Sequence, residues 1–223
     1  MNFTERYLLN KTVCIIPARG GSKRIPGKNI RNFLGKPIVK YPIEAAKASG
    51  IFDDIIVYTD CLKIAAEVLD YNDSQIKVVS SRPTVSDDQT LAESILEFLQ
   101  ITPSLPDYDI ICVMLPTAVF IEKKALHDSK FLLQNTDIQS ICSVMYEKDF
   151  IKWGRDVKGR LWFDMPFRDA GQFYFIKKDI FIKQKSLIAE NCYIWEHSCI
   201  DINIEEDWSN AENLYKSTRL LEG

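Results

Sequence analysis

Short apolar, β-branched runs at positions 13–17, 54–59, 76–80, 109–115, 140–145 and 171–176 alternate along this chain with stretches of helical periodicity at 38–49, 62–69, 91–101, 122–134 and 205–220. Several of the runs, such as VCIIP and IICVML, are almost continuously apolar. A strand with one wet face would alternate polar and apolar residues, so unbroken apolar strands predict a sheet covered on both faces. Strand-helix alternation then predicts an α/β fold, a doubly wound and mainly parallel sheet flanked by helices. Ligands of such sheets bind beyond the carboxyl ends of the strands. With 223 residues the chain is expected to form one domain, 1–223, around one sizeable core.

The segment 147–168, EKDFIKWGRDVKGRLWFDMPFR, breaks the rhythm with aromatics, charges and glycines in no clear period. It is expected to leave the sheet as a surface hairpin, a substrate lid or a subunit contact. Pro42 interrupts the helical stretch 38–49 and fits only in its first turn. In the last helical stretch Trp208, Ala211, Leu214 and Tyr215 follow helical spacing, with Ile204 placed to act as a hydrophobic staple.

Composition excludes several classes. No apolar run reaches the roughly 20 residues of a membrane span, and the polar start MNFTERYLLNK lacks the apolar segment of a secretory signal. A cytoplasmic protein is expected. A net charge of -3 argues against general nucleic-acid binding. Six cysteines without a CxxC pair, mostly inside apolar runs, read as reduced core thiols. His127 and His197 stand in no metal-ligand spacing, which argues against a histidine-based zinc site.

The distribution of charge says more than its sum. No Asp or Glu occurs between Arg6 and Ile43, while Arg19, Lys23, Arg24, Lys28 and Arg31 crowd around glycines directly after the first strand. By itself such a run is most often a basic surface. The stretch IIPARGGSKRIPGKN also fails as a P-loop: Gly21 and Gly27 enclose five residues instead of four, and Lys28 is followed by Asn29 instead of Ser or Thr. A G-x-G-x-x-G dinucleotide fingerprint is missing too. A generic P-loop NTPase is therefore disfavoured, yet the physical reading survives. Gly20, Gly21 and Ser22 allow backbone N–H groups to converge on an anion, and Arg19, Lys23 and Lys28 can neutralise a polyphosphate from several sides. Phosphoryl-type transfer depends on such positioning and charge, not on a nucleophile triad.

PARGGSKRIPGKN resembles the signature of the cytidylyltransferases that activate acidic sugars, in which the CTP loop reads approximately ARxxSKxxxxKN. The resemblance continues in order through GKPIVKYPIEAAKASGIFDDIIVYTD, SRPTVSDDQT, LPTAVF, DAGQFYF and IDINIEEDWSNAENLY. DAGQFYF, and Leu115 in front of Pro116, Thr117 and Ala118, look more like the pseudaminic acid branch than the sialic acid branch.

The resemblance implies a nucleotide-diphospho-sugar transferase type of fold, a homodimer, Mg²⁺, and the formation of CMP-pseudaminic acid and pyrophosphate. CMP-sialic or CMP-legionaminic acid synthesis is the nearest alternative. By matching position, Arg19, Ser22, Lys23 and Lys28 would hold the triphosphate, with Asn29 closing the loop. Arg82, Ser86 and Asp87 would lie around cytosine and ribose, and Arg168, Gln172 and Tyr174 would meet the sugar acid. For metal, the family places two aspartates at alternate positions; here Asp201 is followed by Asn203, with Glu205 as a possible helper. Residues i and i+2 of an extended segment face one side, but Asn supplies a neutral oxygen. A nucleotide-binding homologue with weak or lost catalysis is the reading that Asn203 motivates.

Overall fold

The computed structural model describes residues 10–80, 89–147 and 167–221, the last with side chains to residue 218. Strands β1 (Thr12–Pro17), β4 (Asp54–Tyr58), β5 (Ile76–Val79), β6 (Ile110–Met114), β7 (Ser140–Tyr146), β8 (Phe167–Lys177) and β9 (Cys192–Glu196) form a seven-stranded sheet in the order β5-β4-β1-β6-β8-β7-β9. Pairing is parallel between β1, β4, β5 and β6 and between β7 and β9; β8 runs antiparallel to both of its neighbours. The doubly wound, mainly parallel α/β expectation therefore holds, with β8 as the exception.

The strands are apolar on both sides because both sides are covered. Cys14 and Ile16 of β1 face one core with α1 (Lys40–Ser49), α2 (Leu62–Leu69) and α4 (Lys123–Asn135). Val13 and Ile15 face a second core with α3 (Leu91–Ile101) and α5 (Lys178–Gln184). Pro42 is the third residue of α1, where its missing N–H leaves no bond unmade. α5, β9 and the small hairpin β2 (Asn32–Phe33)/β3 (Lys36–Pro37) escape the sequence pattern. Each is short: α5 buries Phe181 alone, and β9 is an edge strand of mixed exposure whose apolar run, Cys192 to Trp195, is flanked by polar residues.

α6 (Glu205–Leu221) does not pack on the sheet. Its Trp208 and Ala211 close a third, smaller core over Ile25, Phe33, Ile38, Tyr41, Val119 and Ile202. Phe33 meets Tyr41 and Trp208 edge to face at 5.3 and 5.6 Å. The expected staple is absent, since Ile204 is 48% exposed. Asp207 secures that entry to the helix instead, its Oδ2 accepting from the backbone N–H groups of Asn203 and Ile204 at 2.8 Å each.

All six cysteines are free, and Cys14, Cys112 and Cys142 are wholly buried. Both histidines meet backbone carbonyls, His127 that of Ser49 at 2.8 Å and His197 that of Phe120 at 2.6 Å. Among the described residues no helix is long and apolar enough to cross a membrane.

Candidate functional site

A cleft of about 610 Å³ opens at the carboxyl ends of β1 and β6, bounded by the cationic loop, the start of α3, the turn after β6, the bent start of β8 and the segment before α6. From the loop, Arg19, Ser22, Lys23, Arg24, Lys28 and Asn29 line it; Asp169, Gly171, Asp201 and Asn203 stand on the opposite side. The cationic loop and the Asp201–Asn203 pair, far apart in the chain, thus line a single cavity.

The loop's shape comes from long-range bonds. Asn29 Nδ2 donates to the Arg19 carbonyl at 2.9 Å and closes the loop on itself. Lys28 Nζ donates to the Ile202 carbonyl at 2.8 Å and ties the loop to the segment that carries Asp201. Burial pulls the Lys28 ammonium below its ordinary value, opposed by the Asp201 charge and assisted by Arg24 and Arg19.

Gly20 requires a correction. Its N–H donates to Asp60 Oδ1 at 2.7 Å, so that amide does not point at an anion. Its glycine identity serves close packing, because a Cβ would stand 2.8 Å from Cys61 Cβ. Gly21 is exposed, with open space where its Cβ would be. The loop therefore presents to the cleft its side chains and the neighbourhood of Ser22 rather than a nest of three amides.

On the other side, Ile202 is 1% exposed and belongs to the core under α6, which leaves Asp201 and Asn203 to face the cleft together. The alternate-residue geometry expected of a strand is produced by an irregular segment between β9 and α6. Asn203 Nδ2 donates to Asp201 Oδ2 at 2.5 Å. Burial raises the Asp201 carboxyl above the ordinary carboxylate value, against the hydrogen bond from Asn203 and the charges of Lys28 and Arg168. Glu205 does not join them: Arg31 Nη1 donates to both its carboxylate oxygens, at 2.7 and 2.6 Å, while the guanidinium lies 4.5 Å over Trp208.

β8 explains the residue that the sequence reading did not assign, Asp169. The register with β7 shifts between Cys142 and Val144, and Ser143 Oγ accepts from the N–H groups of Gln172 and Phe173 at 3.3 and 3.0 Å. At this irregularity Gly171 takes φ +59°, and Asp169 Oδ1 accepts its N–H at 2.8 Å. The distortion turns Asp169 and Gly171 into the cleft. Gly171 approaches so closely that a Cβ there would be 2.7 Å from Asp201 Oδ1.

The same distortion corrects the expected sugar contacts. Gln172 is 1% exposed; its Oε1 accepts from Phe120 N–H at 3.3 Å and its Nε2 donates to the Ala170 carbonyl at 3.1 Å. Tyr174 is 5% exposed and its hydroxyl donates to Asp169 Oδ2. Both stand behind the cleft wall and position it instead of meeting a ligand. Arg168 is also outside the wall, its Nε 2.9 Å from Glu147 Oε2, although its charge reaches Asp201. Arg82, Ser86 and Asp87 lie outside the described residues.

Replacing Tyr174 with Phe should lower stability by about 1–2 kcal/mol and leave CTP affinity unchanged, which urea unfolding and a nucleotide titration measure separately. Burial raises the Asp169 carboxyl, against the lowering pull of the Tyr174 and Gly171 hydrogen bonds. A carboxyl that holds its proton more tightly in the fold adds stability below the ordinary carboxylate value, and that contribution is lost as pH rises through the raised value. Without the Tyr174 hydroxyl the raised value climbs, so the pH at which the loss is complete moves upward in Tyr174→Phe.

Comparison with known proteins follows the same lines. The family model for cytidylyltransferases matches residues 13–149. Pseudaminic acid cytidylyltransferase of Campylobacter jejuni is 31% identical over 92% of this chain and 97% of its own. CMP-N,N'-diacetyllegionaminic acid synthase of Legionella pneumophila is 25% identical over 92% of this chain and 96% of its own. A solved CMP-2-keto-3-deoxy-manno-octonic acid synthetase complexed with CTP superposes with a TM-score of 0.70 at 15% identity, covering 94% of this chain and all of that one.

Proposed function

The chain belongs to the cytidylyltransferase family, and on that premise we propose that it joins CTP to a nine-carbon acidic sugar, pseudaminic acid, to give the CMP-sugar and pyrophosphate. The observation that carries the reading is the meeting, in one cleft, of the cationic loop of Arg19, Lys23 and Lys28 with Asp201, Asn203 and Asp169. The likeness to a pseudaminic acid cytidylyltransferase over nearly the whole length supports the choice of sugar.

In this reaction the anomeric hydroxyl attacks the α-phosphorus, the bond from that phosphorus to the bridging oxygen breaks, and the pair of electrons leaves with pyrophosphate while the hydroxyl proton is released. Charge accumulates on the departing pyrophosphate and on the α-phosphoryl oxygens. Arg19, Lys23 and Lys28 would neutralise it, since cations already gathered around the phosphates need little reorganisation as the charge develops. The Lys28 bond to Ile202 keeps its ammonium between loop and carboxylate.

The donor set fits a hard dication. Asp201 is a half-buried carboxylate, and because Asn203 donates its Nδ2 to Asp201, its amide oxygen is turned away from that bond and available as a neutral ligand. Asp169 supplies a second carboxylate in the same cleft. Mg²⁺ held by Asp201 and Asn203 would neutralise the triphosphate and polarise the α-phosphate.

The expected result is pyrophosphate release from CTP with pseudaminic acid, faster than with N-acetylneuraminic or legionaminic acid in parallel assays. Indifference to all three acids would overturn the reading. Asn203 favours one second reading, a nucleotide-binding homologue of weak turnover; it predicts CTP-dependent protection against thermal unfolding without pyrophosphate. A homodimer in the cytoplasm, with its supply of CTP, completes the proposal, and light scattering in solution tests the assembly.

A further inference from the structure

We infer that Gln89 reads the exocyclic amine of the nucleobase and so sets a preference for cytosine over uracil. This rests on the reading of the chain as a CTP-using enzyme. Gln89 lines the cleft immediately before Thr90, whose hydroxyl caps α3. Its Nε2 donates to Glu97 Oε2 at 2.9 Å. A carboxylate accepts only from the amide's NH₂ end, so this bond decides which end of the amide points where. Oε1 is therefore turned the other way, and it is buried without a hydrogen-bond partner among the described residues. Gln184 Oε1 is also unmatched, but Gln89 is the one of these two glutamines that lines the cleft, where a ligand can supply the missing donor.

The walls of the cleft indicate which part of a nucleotide comes here. The loop of Arg19, Lys23 and Lys28 suits the triphosphate, and the Asp169 and Asp201 side repels an anion unless a cation intervenes. The rest of the lining carries no charge: Leu91, Leu115 and Pro116 offer apolar surface for a flat base, and Gln89, Thr90 and Ser94 at the start of α3 add hydrogen-bonding groups at its edge. The cytosine N4 amine donates to an acceptor; uracil presents an O4 acceptor at the same position, which would set two lone pairs against each other and leave the Gln89 oxygen unsatisfied. Glu97 acts as a positioning residue, fixing which end of the Gln89 amide is left to accept.

The test uses the full chain and calorimetric titration with CTP, UTP and dCTP. Wild type should prefer CTP to UTP. Gln89→Met keeps the length of the side chain without its acceptor and should weaken CTP about tenfold, leave UTP no weaker because the opposed lone pairs are gone, and leave the CTP/dCTP ratio unchanged. An unaltered CTP/UTP ratio, equal losses for both nucleotides, or a changed CTP/dCTP ratio would each overturn the inference. Should Gln89→Met not fold, Glu97→Ala keeps the acceptor but frees the amide; a smaller fall in the CTP/UTP ratio supports the inference and an unchanged ratio overturns it. A wild-type protein that binds neither nucleotide overturns the CTP reading itself, and the inference with it, before any variant is made.

Discussion

Gly171→Ala should leave the sheet folded and cut CMP-sugar formation by about two orders of magnitude. Two effects combine. An alanine at φ +59° occupies the left-handed region, at a cost of roughly 1–2 kcal/mol, which should appear as a fall of a few degrees in Tm. The new Cβ would also stand 2.7 Å from Asp201 Oδ1 and 3.0 Å from its Cγ, with Leu115 Cδ1 at 3.4 Å on another side. The carboxylate has to give way, because β8 is held by Ser143 and the Asp169 turn. Asp201 would then lose its bond to Asn203 and its place opposite Lys28. Displacing a reacting or ligating group by about 1 Å can cost 100-fold in rate. Steady-state kinetics over a range of Mg²⁺ concentrations checks this; wild-type rates with an unchanged Mg²⁺ requirement would show that Asp201 does not work from where it stands.

Asn203→Asp should have the opposite sign. It exchanges the 2.5 Å hydrogen bond to Asp201 for two carboxylates in contact. Without metal they repel, so the variant should unfold at lower temperature than wild type in EDTA, and the repulsion should raise one of the two carboxyl groups further. With Mg²⁺ the added negative charge becomes a gain. The half-saturating Mg²⁺ concentration for pyrophosphate release should fall about tenfold, and the thermal shift caused by Mg²⁺ should exceed that of wild type. Lower stability that Mg²⁺ does not restore would mean that Asn203 only orients Asp201, and that the dication is held elsewhere.

Much of this architecture could be read from the residues. Val13, Cys14, Ile15 and Ile16 announce a strand buried on two faces, and the structure covers both. The cationic loop and the Asp201–Asn203 pair are each local patterns in the sequence, and they meet in one cleft. Other features depend on partners far along the chain. The amide of Gly20 is taken by Asp60, forty residues later, and nothing within the loop reveals it. Gln172 and Tyr174 sit in the segment that best separates branches of the family, which made them look like ligand contacts; burial and their bonds to Phe120 and Asp169 show them to be supports. Gln89 carries no signal of a role in the sequence, since only the bond to Glu97, eight residues on, fixes which end of its amide is left free.

The amino-acid sequence by itself determined most of the strands and helices, the two-sided burial of the sheet, and the presence of a cationic loop and of Asp201 alternating with Asn203. These follow from periodicity, chain-local charge and spacing, all of which act over a few residues. The tertiary structure decided which polar side chains face the cleft. That choice turns on the register between β7 and β8, where one shift redirects Asp169, Gly171 and Gln172, and on α6 folding back over the loop through Ile25, Phe33, Ile202 and Trp208. In a strand a displacement of one residue exchanges inside for outside. Such a displacement arises from pairing between segments distant in the chain, so local pattern does not encode it.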